Sequence, residues 1–292
     1  MLWDRRRLSS PFWLLRSCVL IDPMDLGLTG KVALVTASSK GLGRASALAL
    51  AREGCRVMLN ARSEAELANT TTFLHADAQV QASGGSAEWI AGDLSDPGDI
   101  AALLEGTVAQ LGPIDILVSN TGGPPAGHFM DHTDDAVWQA AYNLLVMAPV
   151  RLTRGVIPGM AERGWGRCIY ITSTSIKQPI LQLSLSSIVR PAVAGLAKTI
   201  ALDFASKGIT SNVVLPGPYD TDRSIETLRI ASEKTGKSIE QLQQERAASH
   251  PMRRSGDPDE LGAVVAFLAS QQASYTNGAV LWVDGGVVQS TL

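Results

Sequence analysis

The chain has 292 residues, 45% hydrophobic and 18% charged, with a formal net charge of -3. A chain of that length buries a large core, and its charge offers no electrostatic basis for binding nucleic acid or an anionic membrane. Cys18, Cys55 and Cys168 are scattered and odd in number, which argues against a disulfide framework or a cysteine-ligated metal and fits reduced thiols in the cytoplasm. His75, His128, His132 and His250 form no metal-binding pair.

At the start, Arg5-Arg6-Arg7 precedes a short apolar run that Arg16 interrupts, with no clean small-residue cleavage site. Residues 1–25 are therefore expected to be a poorly ordered extension, with Met24 a candidate true start. No segment reads as long enough to span a bilayer. The regular pattern then begins. Residues 32–36 read as a buried strand and 41–53 as a helix closed by Gly54. Residues 57–60 form a second strand. Residues 63–82 read as a helix with Ser63 as cap and Glu66 completing a capping box. A strand at 87–91 leads to a helix at 97–110, capped by Asp96 with Pro97 in its first turn. A fourth strand is expected at 114–119. The long helix at about 134–162 contains Pro149 and Pro158, which should kink or shorten it. Strand 168–172, helix 184–207 and strand 210–215 follow. Residues 218–255, helical and charged from 221, look like a lid with Ile225, Leu228, Ile230 and Met252 as apolar walls. A helix at 258–270 and a strand at 280–283 close the pattern.

Such alternation means parallel strands with right-handed crossovers. The expected fold is α/β: a doubly wound, Rossmann-like parallel sheet in three layers, one domain over residues 26–292. Ligands of such sheets bind beyond the carboxyl ends of the strands. There, Thr36, Ser38, Ser39, Lys40, Gly41, Leu42 and Gly43 form a glycine loop that opens a helix, a site for a pyrophosphate. Strand two ends in Asn60-Ala61-Arg62 with no acid for a ribose hydroxyl. Lys40 and Arg62 at the two loop ends favour a 2′-phosphate, hence NADP(H).

These residues resemble the short-chain dehydrogenase/reductase family, in the branch of the 3-oxoacyl-carrier-protein reductases. The loop is similar to the family's TGxxxGxG, with Ala37 for its first glycine. Asp93, followed by Leu94, matches the adenine-contacting aspartate. Asn120 and Gly122 resemble part of NNAG. Pro216, Gly217 and Thr221 match the segment closing over the nicotinamide, and Asp284-Gly285-Gly286 matches DGG. The resemblance implies a catalytic Asn, Ser, Tyr and Lys. Ser173 falls at the serine position, but Ser186 stands for the tyrosine, Arg190 for the lysine and Leu145 for the asparagine. Asn143 lies about 200° round the helix from Leu145 and should not substitute.

Three readings follow. The first is an NADP(H)-dependent oxidoreductase acting on a small carbonyl or alcohol substrate with a changed proton donor, with Ser173, Ser186 and Arg190 as its catalytic group. Lys177, His128 and His132 are further candidate donors. The second is a non-catalytic NADP(H)-binding protein. The third is non-redox chemistry on the same scaffold, as in halohydrin dehalogenases; it ranks last because the cofactor loop is kept. The resemblance also implies pairing of the two long helical segments across a homotetramer or homodimer.

Overall fold

The computed structural model describes residues 25–291; the expectations for residues 1–24, with Met24 and Cys18, lie outside them. In chain order the elements are β1 (Val32–Val35), α1 (Gly41–Arg52), β2 (Arg56–Ala61), α2 (Glu64–Ala76), α3 (Ala78–Ser83), β3 (Ser86–Ala91), α4 (Pro97–Leu111), β4 (Ile116–Ser119), α5 (Asp135–Tyr142), α6 (Ala148–Arg163), β5 (Gly166–Ile171), α7 (Ser184–Val189), α8 (Pro191–Phe204), β6 (Ile209–Pro216), α9 (Asp222–Thr235), α10 (Ile239–Ser249), α11 (Pro258–Ala269) and β7 (Val280–Val283).

The seven strands form one sheet in the order β3-β2-β1-β4-β5-β6-β7, every neighbouring pair parallel. A parallel sheet covered on both faces needs strands that are apolar on both sides, and β1 and β4 are buried at every position. Alternate side chains feed two cores. Ala33, Val35, Val57 and Val118 pack with Leu50 of α1, Leu67 of α2 and Leu261 and Val265 of α11. Leu34, Met58, Leu117 and Tyr170 pack with Leu103 of α4, Leu152 and Val156 of α6 and Val193 of α8. This is the three-layer, doubly wound arrangement expected. Its connections reverse between the neighbours β1 and β4, which opens a crevice at their carboxyl ends.

Several local expectations are corrected. The helix expected at 63–82 breaks at Asp77, whose extended backbone lets its carboxylate accept from Gln79 N and Val80 N and so cap α3. Asp77 also pairs with Arg52 at 2.8 Å. The capping box is half made: Ser63 accepts from Glu66 N, while the Glu66 carboxylate turns to Ser39 and Lys40. The long helix carries a π-helical turn, Asn143–Met147, between α5 and α6, with Pro149 in the first turn of α6. Pro191 likewise divides α7 from α8. Asp135–Arg163 (29 residues) and Ser184–Lys207 (24 residues) are long and apolar enough to cross a membrane, contrary to the expectation of no such segment. Their apolar sides are used against the sheet, through Leu152, Val156, Val193 and Ala197.

Candidate active site

The crevice is sewn together by Thr36 and Asn120, which follow β1 and β4. Thr36 Oγ1 donates to Asn120 O at 2.6 Å and accepts from Asn120 N at 3.0 Å. Asn120 Nδ2 donates to Ala37 O at 3.1 Å. Ser38 Oγ donates to Val35 O at 2.7 Å and accepts from Asn60 N at 3.0 Å, tying the loop to β2. These bonds fix the path by which the loop delivers α1. A Cβ on Gly43 would stand 2.3 Å from Ala37 O and 2.8 Å from Asn120 Nδ2, so only glycine fits. Gly41 has φ +58° and Ala37 φ 47°; Ala37 holds a left-handed conformation that favours glycine.

Helix α1 then opens without a side-chain cap from Lys40 and without an acid in its first turn. The N–H groups there have no intrahelical acceptors, and the helix dipole is positive at that end. The arrangement fits a pyrophosphate. Reading the sequence missed Glu66 beside it. Its carboxylate accepts from Ser39 Oγ and Lys40 Nζ, both at 3.0 Å, and these bonds lower its pKa, Lys40 first and Ser39 second. Lys40 is thus paired, while Arg62 is exposed. Asp93 accepts from Ser95 N and Oγ at 2.9 and 2.7 Å, which lowers its pKa; Leu94 is buried next to it.

Two of the replaced positions, Ser186 and Arg190, come together beside Gly122. Ser186 and Arg190 are one turn apart and buried, at 5% and 6% exposure. Arg190 Nε donates to Ser186 Oγ at 3.4 Å and Nη2 to Gly122 O at 3.3 Å. Burial, and second the charge of Arg223, push the Arg190 pKa down to about 10, so it stays cationic at neutral pH. Ser173, two residues beyond β5, caps a short turn by accepting from Ser175 N at 3.1 Å. Leu145 is sealed in the core at 1% exposure. Asn143 accepts from Gln139 Nε2 at 3.1 Å in an exposed bond.

Of the other candidate donors, Lys177 and His128 are exposed. His132 Nε2 is buried without a partner beside Gly127. The segment after β6 crosses the mouth. Gly217 touches the Asp284 backbone so closely that a Cβ would be 2.6 Å from its α-carbon, and Thr221 lies 3.6 Å from where a Gly41 Cβ would stand. Leu228 is buried, but Ile225, Ile230 and Met252 are 44%, 45% and 56% exposed, so the expected apolar walls are mostly open surface. Met252 lines a cavity of about 370 Å³ with Tyr219, Trp282 and Asp284.

A doubly wound parallel sheet with a glycine-lined, uncapped helix N-terminus at its switch point defines a dinucleotide-binding α/β protein of the Rossmann type. The family described as enoyl-(acyl carrier protein) reductase matches residues 36–288. Nodulation protein G of Azospirillum brasilense is 36% identical over 261 residues, covering 89% of this chain and 99% of that protein. A 3-oxoacyl-acyl-carrier-protein reductase of Salmonella typhimurium is 31% identical over 262 residues, covering 90% and 99%. The crystal structure of L-sorbose reductase from Gluconobacter frateurii, complexed with NADPH and L-sorbose, matches with a TM-score of 0.85 at 32% identity, over 91% of this chain and all of that one. The chain belongs to the short-chain dehydrogenase/reductase family of oxidoreductases.

Proposed function

We propose that this protein is an NADP(H)-dependent oxidoreductase that transfers hydride between the nicotinamide and a carbonyl or hydroxyl substrate, with Ser173, Ser186 and Arg190 in place of the usual acid. The observation that carries the reading is the buried Ser186–Arg190 pair at Gly122, in the crevice that the cofactor loop opens. The first turn of α1, with Gly41, Leu42 and Gly43, takes the pyrophosphate. Lys40, Arg62 and Ser39 take the 2′-phosphate, with Lys40 shared between phosphate and Glu66. Asp93 and Leu94 bound the adenine; Asn120, Gly122, Pro216, Gly217 and Thr221 hold the nicotinamide half. When bound, NADPH supplies the hydride.

The serines are oriented to donate. Ser186 Oγ accepts from Arg190 Nε and Ser173 Oγ from Ser175 N, so each hydroxyl keeps its own hydrogen for a substrate oxygen. Arg190 places a fixed positive charge where that oxygen becomes negative. Preorganised donors of this kind stabilise an oxyanion without being deprotonated themselves. The proton then arrives through a water hydrogen-bonded to Ser186. Residues 218–255 act as a lid over the pocket. The same reading carries residence in the cytoplasm and pairing of subunits through the segment holding Ile188 and Leu202, exposed at 55% and 75%.

The test follows NADPH absorbance with small ketones and 3-oxoacyl thioesters, beside a variant combining Leu145→Asn, Ser186→Tyr and Arg190→Lys. Substrate-dependent NADPH consumption by the wild type is expected. A silent wild type beside an active variant would overturn the reading in favour of a protein that binds NADP(H) without reducing carbonyls.

A further inference from the structure

Two guanidiniums converge on one dipeptide. Arg190, at the end of α7, donates from Nη2 to Gly122 O at 3.3 Å. Arg223, in the first turn of α9, lies against the α-carbon of Gly123, where an added Cβ would be 1.8 Å from its Nη1. Arg190 is buried and Arg223 exposed. No ion pair among the described residues includes either of them. Glu226, one turn along α9, is taken by Arg229 at 3.2 Å. The two charges are close enough that Arg223 contributes to the lowered pKa of Arg190. Beside them Gly122 has nothing within 4 Å of where its Cβ would stand.

The first turn of α9 is held in place. Thr221 Oγ1 accepts from Ser224 N at 3.3 Å, and Arg246 of α10 donates to Ser224 Oγ at 2.6 Å. The turn from which Arg223 reaches Gly123 is thereby fixed. Like charges brought together without a counter-charge cost energy, which an anion between them removes.

We propose that Arg223, with Arg190 behind it, reads a carboxylate on the substrate, so that the carbonyl compounds this protein takes are oxo acids. This rests on the hydride-transfer reading above and names its substrate class. A guanidinium meets the two oxygens of a carboxylate in a forked, charge-assisted geometry. The substrate carbonyl then faces Ser173 and Ser186 while its acid group points to the mouth. The same anionic chemistry is present in the dinucleotide's pyrophosphate, and the experiment separates the two sources.

The NADP+ complex is titrated by calorimetry with 3-oxohexanoate and with its methyl ester, which measures binding without turnover. The acid is expected to bind about ten- to a hundredfold more tightly than the ester, the range for a charge-assisted pair. Arg223→Gln should bring the two within about threefold, and Arg223→Lys should keep part of the difference, while the affinity for NADP+ itself changes less than about twofold. Equal binding of acid and ester to the wild type, or no binding of either, overturns the proposal. So does an Arg223→Gln variant that weakens NADP+ and leaves the acid-to-ester ratio intact. A protein that discriminates acid from ester yet never consumes NADPH would sink the hydride-transfer reading and leave the carboxylate site standing.

Discussion

Replacing Gly43 by alanine should uncouple the cofactor loop from β4. The new Cβ would stand 2.3 Å from Ala37 O and 2.8 Å from Asn120 Nδ2, so the loop backbone must withdraw by roughly 1 Å, an overpacking that costs about 1–3 kcal/mol. The Asn120 Nδ2 bond to Ala37 O spans the same gap at 3.1 Å; its loss accounts for about 1 kcal/mol of that. A displacement of roughly 1 Å also exceeds the tolerance of an N–H···O bond. At least one charge-assisted bond to the pyrophosphate is lost, worth about 1.5–3 kcal/mol, or about ten- to a hundredfold in Kd. The control is Gly85→Ala, whose Cβ would meet Ala51 O at 2.0 Å at the far end of α1. It should lower the melting temperature comparably and leave NADPH affinity unchanged. Fluorescence titration of NADPH, with thermal unfolding alongside, reads both. Unaltered NADPH binding by Gly43→Ala, or equal weakening by Gly85→Ala, would refute the reasoning.

Ala37→Gly should be mildly stabilising. It relieves a left-handed alanine at φ 47°, a gain of about 1–2 kcal/mol offset by about 0.4–1 kcal/mol of unfolded-state entropy, and thermal melts will show the sign. Glu66→Gln frees Lys40 from its 3.0 Å pair and should tighten NADPH by about two- to fivefold at low salt, an effect that fades as ionic strength rises. Tyr170→Phe removes the 2.8 Å bond to Thr153 Oγ1. Thr153 keeps its bond to Pro149 O, so the cost should be about 1 kcal/mol, read as a lower urea midpoint at constant slope. The catalytic rate should be level from about pH 7 to 9 and fall as pH approaches the Arg190 pKa of about 10. Because that pKa is lowered, the cation is present below it and lost above. An inflection near pH 6.5 in the rate profile would instead assign the proton step to a histidine.

The fold was legible because its signals are periodic and local: β7 is found where its apolar run predicts, and most other element ends shift by one or two residues. The breaks were harder to see, since a cap such as Asp77 and a π turn at Asn143–Met147 are chosen by tertiary packing over helix propensity. At the site, the glycine loop and the helical spacing of Ser186 and Arg190 could be read directly, and the structure brings that pair into contact. Glu66 was read only as a capping residue. Nothing local says that its side chain leaves Ser63 for a loop 26 residues back in sequence. Arg223 was hidden for the same reason. It is one more charge in a charged segment until the fold lays it on Gly123.

The substitutions at the catalytic positions make sense as a unit. Leu145 is closed into the core at 1% exposure, and a leucine side chain has no amide to hold a water. Serine at 186 is too short to span what a phenol would, and Arg190 donates to it. What results is a set of donors around a guanidinium that is cationic at neutral pH. On the proposed mechanism such a set stabilises negative charge on oxygen and takes its proton from the mouth of the crevice, where Gly122 is exposed and Arg223 lies against Gly123. On the carboxylate reading proposed above, a substrate's own negative charge offsets the mutual repulsion of Arg190 and Arg223 before the carbonyl is polarised. On that reading, the serine in the tyrosine position and the second arginine are two parts of one electrostatic arrangement.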